Sequence, residues 1–152
     1  MLVVGLVAGG VLAPIADAGI RVGGGAGVIG DEAAPMARAA FDVLPLWFIT
    51  VAVDTEVWLT PSDGPWLMPF LTVSMPVLFK ATVGVAPLIE VAGGATSFPP
   101  SVAALKAGIS AGVGPLELFG EALFFVSPGA GIPTSVEELG RPIFAFGVTL
   151  GF

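Results

Sequence analysis

The chain has 152 residues, of which 55% are hydrophobic and only 11% charged, and its net charge is −7. Soluble domains carry about 25% charged residues, so the composition points to lipid, and five Lys and Arg in all cannot build the basic stripe a nucleic-acid partner needs. With no Cys and no His, disulfides, thiolate sites and imidazole general bases are excluded; Tyr, Asn and Gln are absent too.

Residues Leu2 to Ile15 form an apolar run that ends in Ala16-Asp17-Ala18, just ahead of Gly19. This resembles a secretory signal with its small-residue cleavage site, although no Lys or Arg precedes Arg21. The expected division is a signal peptide over 1–18 and a single mature domain over 19–152. No apolar stretch reaches the roughly 20 residues of a spanning helix, because Gly, Pro, Thr or a charge interrupts each one. A closed β-barrel is the other fold that satisfies every backbone N–H and C=O inside a bilayer.

From Gly19 onward, large apolar residues alternate with small or polar ones, which is the period of a strand. Eight antiparallel strands are predicted, over 19–29, 36–43, 47–59, 66–77, 79–92, 102–113, 116–126 and 141–152. Each is close to the roughly 9–11 residues that cross a bilayer at a steep tilt. Tight turns are expected at 44–46, 78 and 114–115, and longer links at 30–35, 60–65, 93–101 and 127–140. Short and long connections then alternate, as in an up-and-down transmembrane barrel with both termini on one side. The second strand competes with a helix started by Pro35, but Phe41 and Val43 share one parity and favour the strand. Pro69 and Pro76 suit a rim and a turn, and Pro87 predicts a bulge.

The charges follow the same parity. Arg21, Arg38, Lys80, Lys106 and Arg141 are assigned to the lumen, together with Asp42, Asp54, Glu56, Glu90, Glu117 and Glu121. Asp31, Glu32, Asp63, Glu137 and Glu138 fall in the longer links, and no charge falls on the lipid face, where Arg or Lys costs about 2–4 kcal/mol at mid-membrane. An eight-stranded barrel is narrow enough for side chains to fill. The inward charges are therefore expected to pair as an ion network among small Gly, Ala, Thr and Ser residues. Trp47, Phe79 and Phe152 are assigned to an aromatic girdle at one interface, and Trp58, Trp66 and Phe124 or Phe125 to the other.

Gly25-Ala26-Gly27-Val28-Ile29-Gly30 spells a dinucleotide-binding fingerprint, but no βαβ unit follows it, and small residues on a crowded wall fit better. The carboxylate pairs Asp54 with Glu56 and Glu117 with Glu121 have a spacing compatible with acid–base hydrolysis. Five nearby cations favour ionised, paired acids instead. Asp31-Glu32 and Glu137-Glu138 offer oxygen ligands, yet loop acids are usually just solvated. No catalytic residue, cofactor or metal is assigned.

The last strand ends Gly147-Val148-Thr149-Leu150-Gly151-Phe152, with Phe144, Phe146, Val148, Leu150 and Phe152 on one face. This terminal pattern resembles the assembly signal of the small eight-stranded bacterial outer-membrane barrels, the OmpA-transmembrane-domain and OmpX-like group. The resemblance spans residues 19–152. It is partial, since Ala145 stands where a polar residue is usual and the Tyr-rich girdle is missing. It implies residence in the outer-membrane bilayer of a Gram-negative bacterium and insertion by the β-barrel assembly machinery, with Gly147, Leu150 and Phe152 as the signal. The expected function is non-enzymatic, structural or surface-interacting through an unidentified partner. A narrow, porin-like channel for small or apolar solutes is the alternative.

Overall fold

The computed structural model describes residues 19–46, 48–60, 64–76, 79–92, 95–96, 102–127 and 141–152. The expected signal peptide over 1–18 and the girdle residue Trp47 lie outside them. The strands are β1 (Ile20–Ile29), β2 (Glu32–Pro45), β3 (Thr50–Thr60), β4 (Gly64–Pro76), β5 (Lys80–Pro87), β6 (Ile89–Ala92), β7 (Ala95–Thr96), β8 (Ala103–Val113), β9 (Leu116–Val126) and β10 (Ile143–Gly151). β6 continues β5 past Leu88, and β7 is a two-residue return onto β6. Each wall strand pairs antiparallel with the next in sequence, and β10 pairs with β1 from Arg21↔Gly151 to Gly27↔Ala145. The result is an eight-stranded antiparallel closed barrel, with no helix among the described residues.

The closure is reinforced at the terminus end, where the Phe152 amide donates to the Ile20 carbonyl at 2.9 Å. Closing the sheet removes the unpaired edges that an open sheet would present. Two hairpins at the opposite end, β1–β2 and β3–β4, are shorter than the sequence suggests. Residues 30–35 are not a long link: Ile29 pairs directly with Glu32, and Gly30 and Asp31 make a two-residue turn. Gly30 has φ +64° at the first central position, where a type II′ turn requires glycine. Glu32 and Pro35 accordingly belong to β2, and neither a loop nor a helix forms there. Only residues 61–63 separate β3 from β4. Short and long connections therefore do not alternate strictly.

Pro87 causes no bulge. The β4–β5 ladder stops at Leu71↔Val85 and resumes, in the same register, at Leu67↔Ile89. Pro69 and Pro87 face each other in that gap, so two residues without an N–H share one interruption. The register shift lies instead in β2, between Asp42 and Leu44.

Alternation sets two opposite surfaces. Outward positions such as Val22, Phe41, Val53, Leu71, Val83, Ile109, Leu118 and Phe146 are large, apolar and exposed all round the wall. Among the described residues, no charged side chain of the wall shares their parity. A soluble protein rarely exposes apolar surface on this scale. The buried residues, polar and apolar alike, lie on the inward parity.

Candidate functional site: the barrel lumen

Inward residues near the middle of β2, β3, β8 and β9 bring five charges into one cluster. Arg38 presents a fork to Asp54, with Nε at 2.9 Å from Oδ1 and Nη2 on Oδ2, and its Nη1 reaches Glu121 Oε2 at 3.2 Å. Lys106 Nζ donates to Asp54 Oδ2 at 2.6 Å and to Glu56 Oε1 at 2.5 Å, and lies 3.8 Å from Glu121 Oε2. The side chains of Lys106, Asp54, Glu56 and Glu121 are at most 3% exposed. Ions this far from water persist only when paired and hydrogen-bonded. The register supplies the pairing, because Arg38 lies opposite Glu56 and diagonal to Asp54.

A second tier lies towards the terminus end. Arg21 Nη1 and Nη2 bind Asp42 at 3.0 and 2.6 Å, and Lys80 Nζ is 3.6 Å from Glu117. Hydroxyls complete this polar half: Thr72 donates to the Ala52 carbonyl at 3.2 Å and Ser74 to the Thr50 carbonyl at 3.4 Å.

The opposite half of the lumen is apolar. Trp58, Met68, Phe70 and Leu123 are fully buried there, with Trp66 and Leu88 nearly so. Burying a side chain such as Met68, Phe70 or Leu123 contributes about 1.5–3 kcal/mol each. The halves meet at Lys106, whose Nζ sits 4.2 Å above the Phe70 ring, while the Arg38 guanidinium lies 4.6 Å above Phe119, between Glu117 and Glu121 on β9. Both contacts are within cation–π range. Trp58 joins the halves as well, its Nε1 donating to Glu56 Oε2 at 3.0 Å.

The strand walls are relieved where these large side chains press on them. A Cβ on Gly27 would come 2.5 Å from the Trp58 ring, and one on Gly147 would come 2.5 Å from the Phe119 ring. Gly25 and Gly27 are thus inward wall positions of β1, and the dinucleotide fingerprint they spell has no helix to open. Gly147 of the terminal motif faces the lumen, while Leu150 and Phe152 are exposed on the outside.

Nine of the eleven residues assigned to the lumen network are brought together as ion pairs: Arg21, Arg38, Asp42, Asp54, Glu56, Lys80, Lys106, Glu117 and Glu121. The other two are not. Arg141 is exposed, just before β10. Glu90 is exposed in β6 opposite Trp66, at the rim rather than among the cations.

The girdle assignment needs a larger correction. Phe79 is 56% exposed at the terminus end, as expected, but Trp58 and Trp66 are buried inside the barrel. Phe125 is inward too, packed edge-on against Trp66 at 5.6 Å. The interior is therefore not lined by small residues throughout. Parity carried the signal: Trp58 shares a strand face with Asp54 and Glu56, so an inward Glu56 implies an inward Trp58. Trp66 has no such parity signal, because β4 is apolar on both faces at that end.

Comparison with protein-family models, curated proteins and solved structures returns no match, so the functional reading rests on the barrel and its lumen.

Proposed function

We propose that the chain is a bacterial outer-membrane β-barrel with a structural or surface-docking role, without catalytic activity. One observation carries this reading: the described outer wall bears no charge over eight strands, while nine charged side chains turn inward and pair. A closed sheet with an apolar exterior matches the solvent requirements of a bilayer. Its partners are then the outer-membrane lipids, and the β-barrel assembly machinery during insertion. The terminal Leu150 and Phe152, outward and exposed, are available to a machine that engages the last strand. The paired ions and the apolar layer above them suit a filled interior, and support a scaffold whose contacts are made by its loops.

Expression with a functional export signal in a Gram-negative host, followed by fractionation, tests the location. The reading expects protein in the outer-membrane fraction that resists carbonate extraction and migrates faster on a gel when unheated. Recovery in a soluble fraction would reject it.

The polar lining from Lys80 and Thr149 to Arg38 favours one second reading, a narrow channel for small solutes. Reproducible single-channel conductance in planar bilayers would establish the channel in place of the scaffold.

A further inference from the structure

The lumen is not electrically balanced. Among the described residues, Arg21, Arg38, Lys80 and Lys106 face Asp42, Asp54, Glu56, Glu117 and Glu121, which leaves one negative charge in excess. The excess belongs to the middle cluster, where Arg38 and Lys106 meet three carboxylates.

The geometry locates where that charge is unmet. Glu121 uses Oε2 for both Arg38 and Lys106, and its Oε1 is buried with no hydrogen-bond partner. Ser110 Oγ, on a residue only 7% exposed, is also buried and unpartnered. Both residues line one small cavity of about 10 Å³, together with Thr82, Glu117 and Arg38. That volume is about one water-sized sphere, and an occupant needs two or more polar partners to be held there. Two residues that each carry an orphaned buried oxygen thus line one small cavity beside an uncompensated carboxylate, a setting that favours a small positive charge.

We propose that the cavity between Glu121 and Ser110 binds one small monovalent cation, held by Glu121 Oε1 and Ser110 Oγ, which neutralises the lumen. The size admits an alkali ion, or one water beside a proton carried on the Glu121 carboxyl itself, and no organic cation. A divalent metal does not fit the donors: no group of three or more acidic residues suited to a metal occurs among the described residues. The groups that set the field at the site are Arg38 from β2, Asp54 and Glu56 from β3, Lys80 from β5, Lys106 from β8 and Glu117 from β9. The site is defined by lumen geometry alone, so its absence would leave the membrane location untouched.

The test is urea unfolding of the full chain refolded in a non-ionic detergent, at constant ionic strength, with sodium chloride replaced stepwise by choline chloride. Choline is too large for the cavity and serves as the screening control. If an alkali ion is bound, each tenfold rise in sodium above half-saturation favours the folded state about tenfold. If the occupant is a proton, the sodium series is flat. The folded state then gains up to about tenfold per unit fall in pH, and the infrared spectrum contains a carboxylic-acid band that Glu121→Gln removes. In both cases Glu121→Gln abolishes the dependence, and Ser110→Ala, which keeps every charge, shifts it to higher cation or proton concentration. Should Glu121→Gln fail to fold, the Ser110→Ala shift decides the question. Identical sodium and choline series with no carboxylic-acid band would overturn the proposal, as would a dependence that either variant leaves unchanged.

Discussion

Replacing Lys106 with Met tests the lumen network at its most buried point. Lys106 is fully enclosed, with Nζ at 2.6 Å from Asp54, 2.5 Å from Glu56 and 3.8 Å from Glu121. Met retains most of the volume and remains against Phe70, so packing changes little. What changes is charge: three carboxylates are left with Arg38 alone. Removing one partner of a buried ionic cluster typically costs about 3–5 kcal/mol, far more than the net value of the pair. At 1.4 kcal/mol per tenfold change, this lowers the folding equilibrium constant by a factor of about 10² to 10³·⁵. Urea unfolding in detergent, followed by tryptophan fluorescence, measures it, since Trp58 Nε1 is bonded to Glu56 and senses the cluster directly. The double variant Lys106→Met with Glu56→Gln removes one charge of each sign and restores the original imbalance. It is expected to be more stable than Lys106→Met with Glu56→Gln effects simply added, by a coupling of about 1–3 kcal/mol. A Lys106→Met protein within about 0.5 kcal/mol of the parent, or additive single variants, would refute the claim that these ions hold one another.

Three further outcomes are expected. Trp58→Ala opens a cavity inside the barrel and is expected to cost about 3–5 kcal/mol, whereas Phe79→Ala on the outer wall stays within about 0.5 kcal/mol in detergent; denaturant midpoints compare them directly. Gly27→Val drives a side chain into the Trp58 ring and against the Phe144 carbonyl, and is expected to cost about 1–3 kcal/mol, with only the part due to the ring recovered when Trp58 is truncated as well; thermal unfolding of the single and double variants measures the coupling. Phe152→Ala leaves refolding in detergent unchanged but lowers the amount assembled in outer membranes several-fold, as quantified by unheated gel migration of cell fractions.

The barrel was legible because its outer and inner surfaces obey one period. Phe144, Phe146, Val148 and Leu150 on β10 alternate without exception, and β10 seats against both β9 and β1. The ion network was legible for the same reason: a charge of the other parity would stand among the apolar side chains of the outer wall. The lumen aromatics were less so. Preference for the membrane interface draws Trp58 and Trp66 outward on composition grounds, while their parity with Glu56 and Met68 draws them inward, and the register decides for parity. The two-residue turn at Gly30-Asp31 was hidden because Asp31-Glu32, with Pro35 three residues on, resembles a loop. Their inward and outward positions in β2 emerge only once Ile29 pairs with Glu32. The cavity beside Glu121 had no sequence signal at all. It depends on Ser110 and Glu121 meeting across β8 and β9, where Ser110 lies opposite Phe119 and Glu121 opposite Gly108.

The central claim is that the apolar outer wall faces lipid. The chain has no Cys, so single cysteines can be introduced cleanly for spin labelling. Labels at Ala107, Ile109, Ala111 and Leu118, in vesicles of outer-membrane-like lipid, report collisions with oxygen, which concentrates in the bilayer, and with a water-soluble nickel chelate. All four positions are expected to favour oxygen strongly, while a label at Asp31 in the β1–β2 turn favours the chelate. Labels on the wall that collide with the chelate as freely as the one at Asp31 would contradict the account.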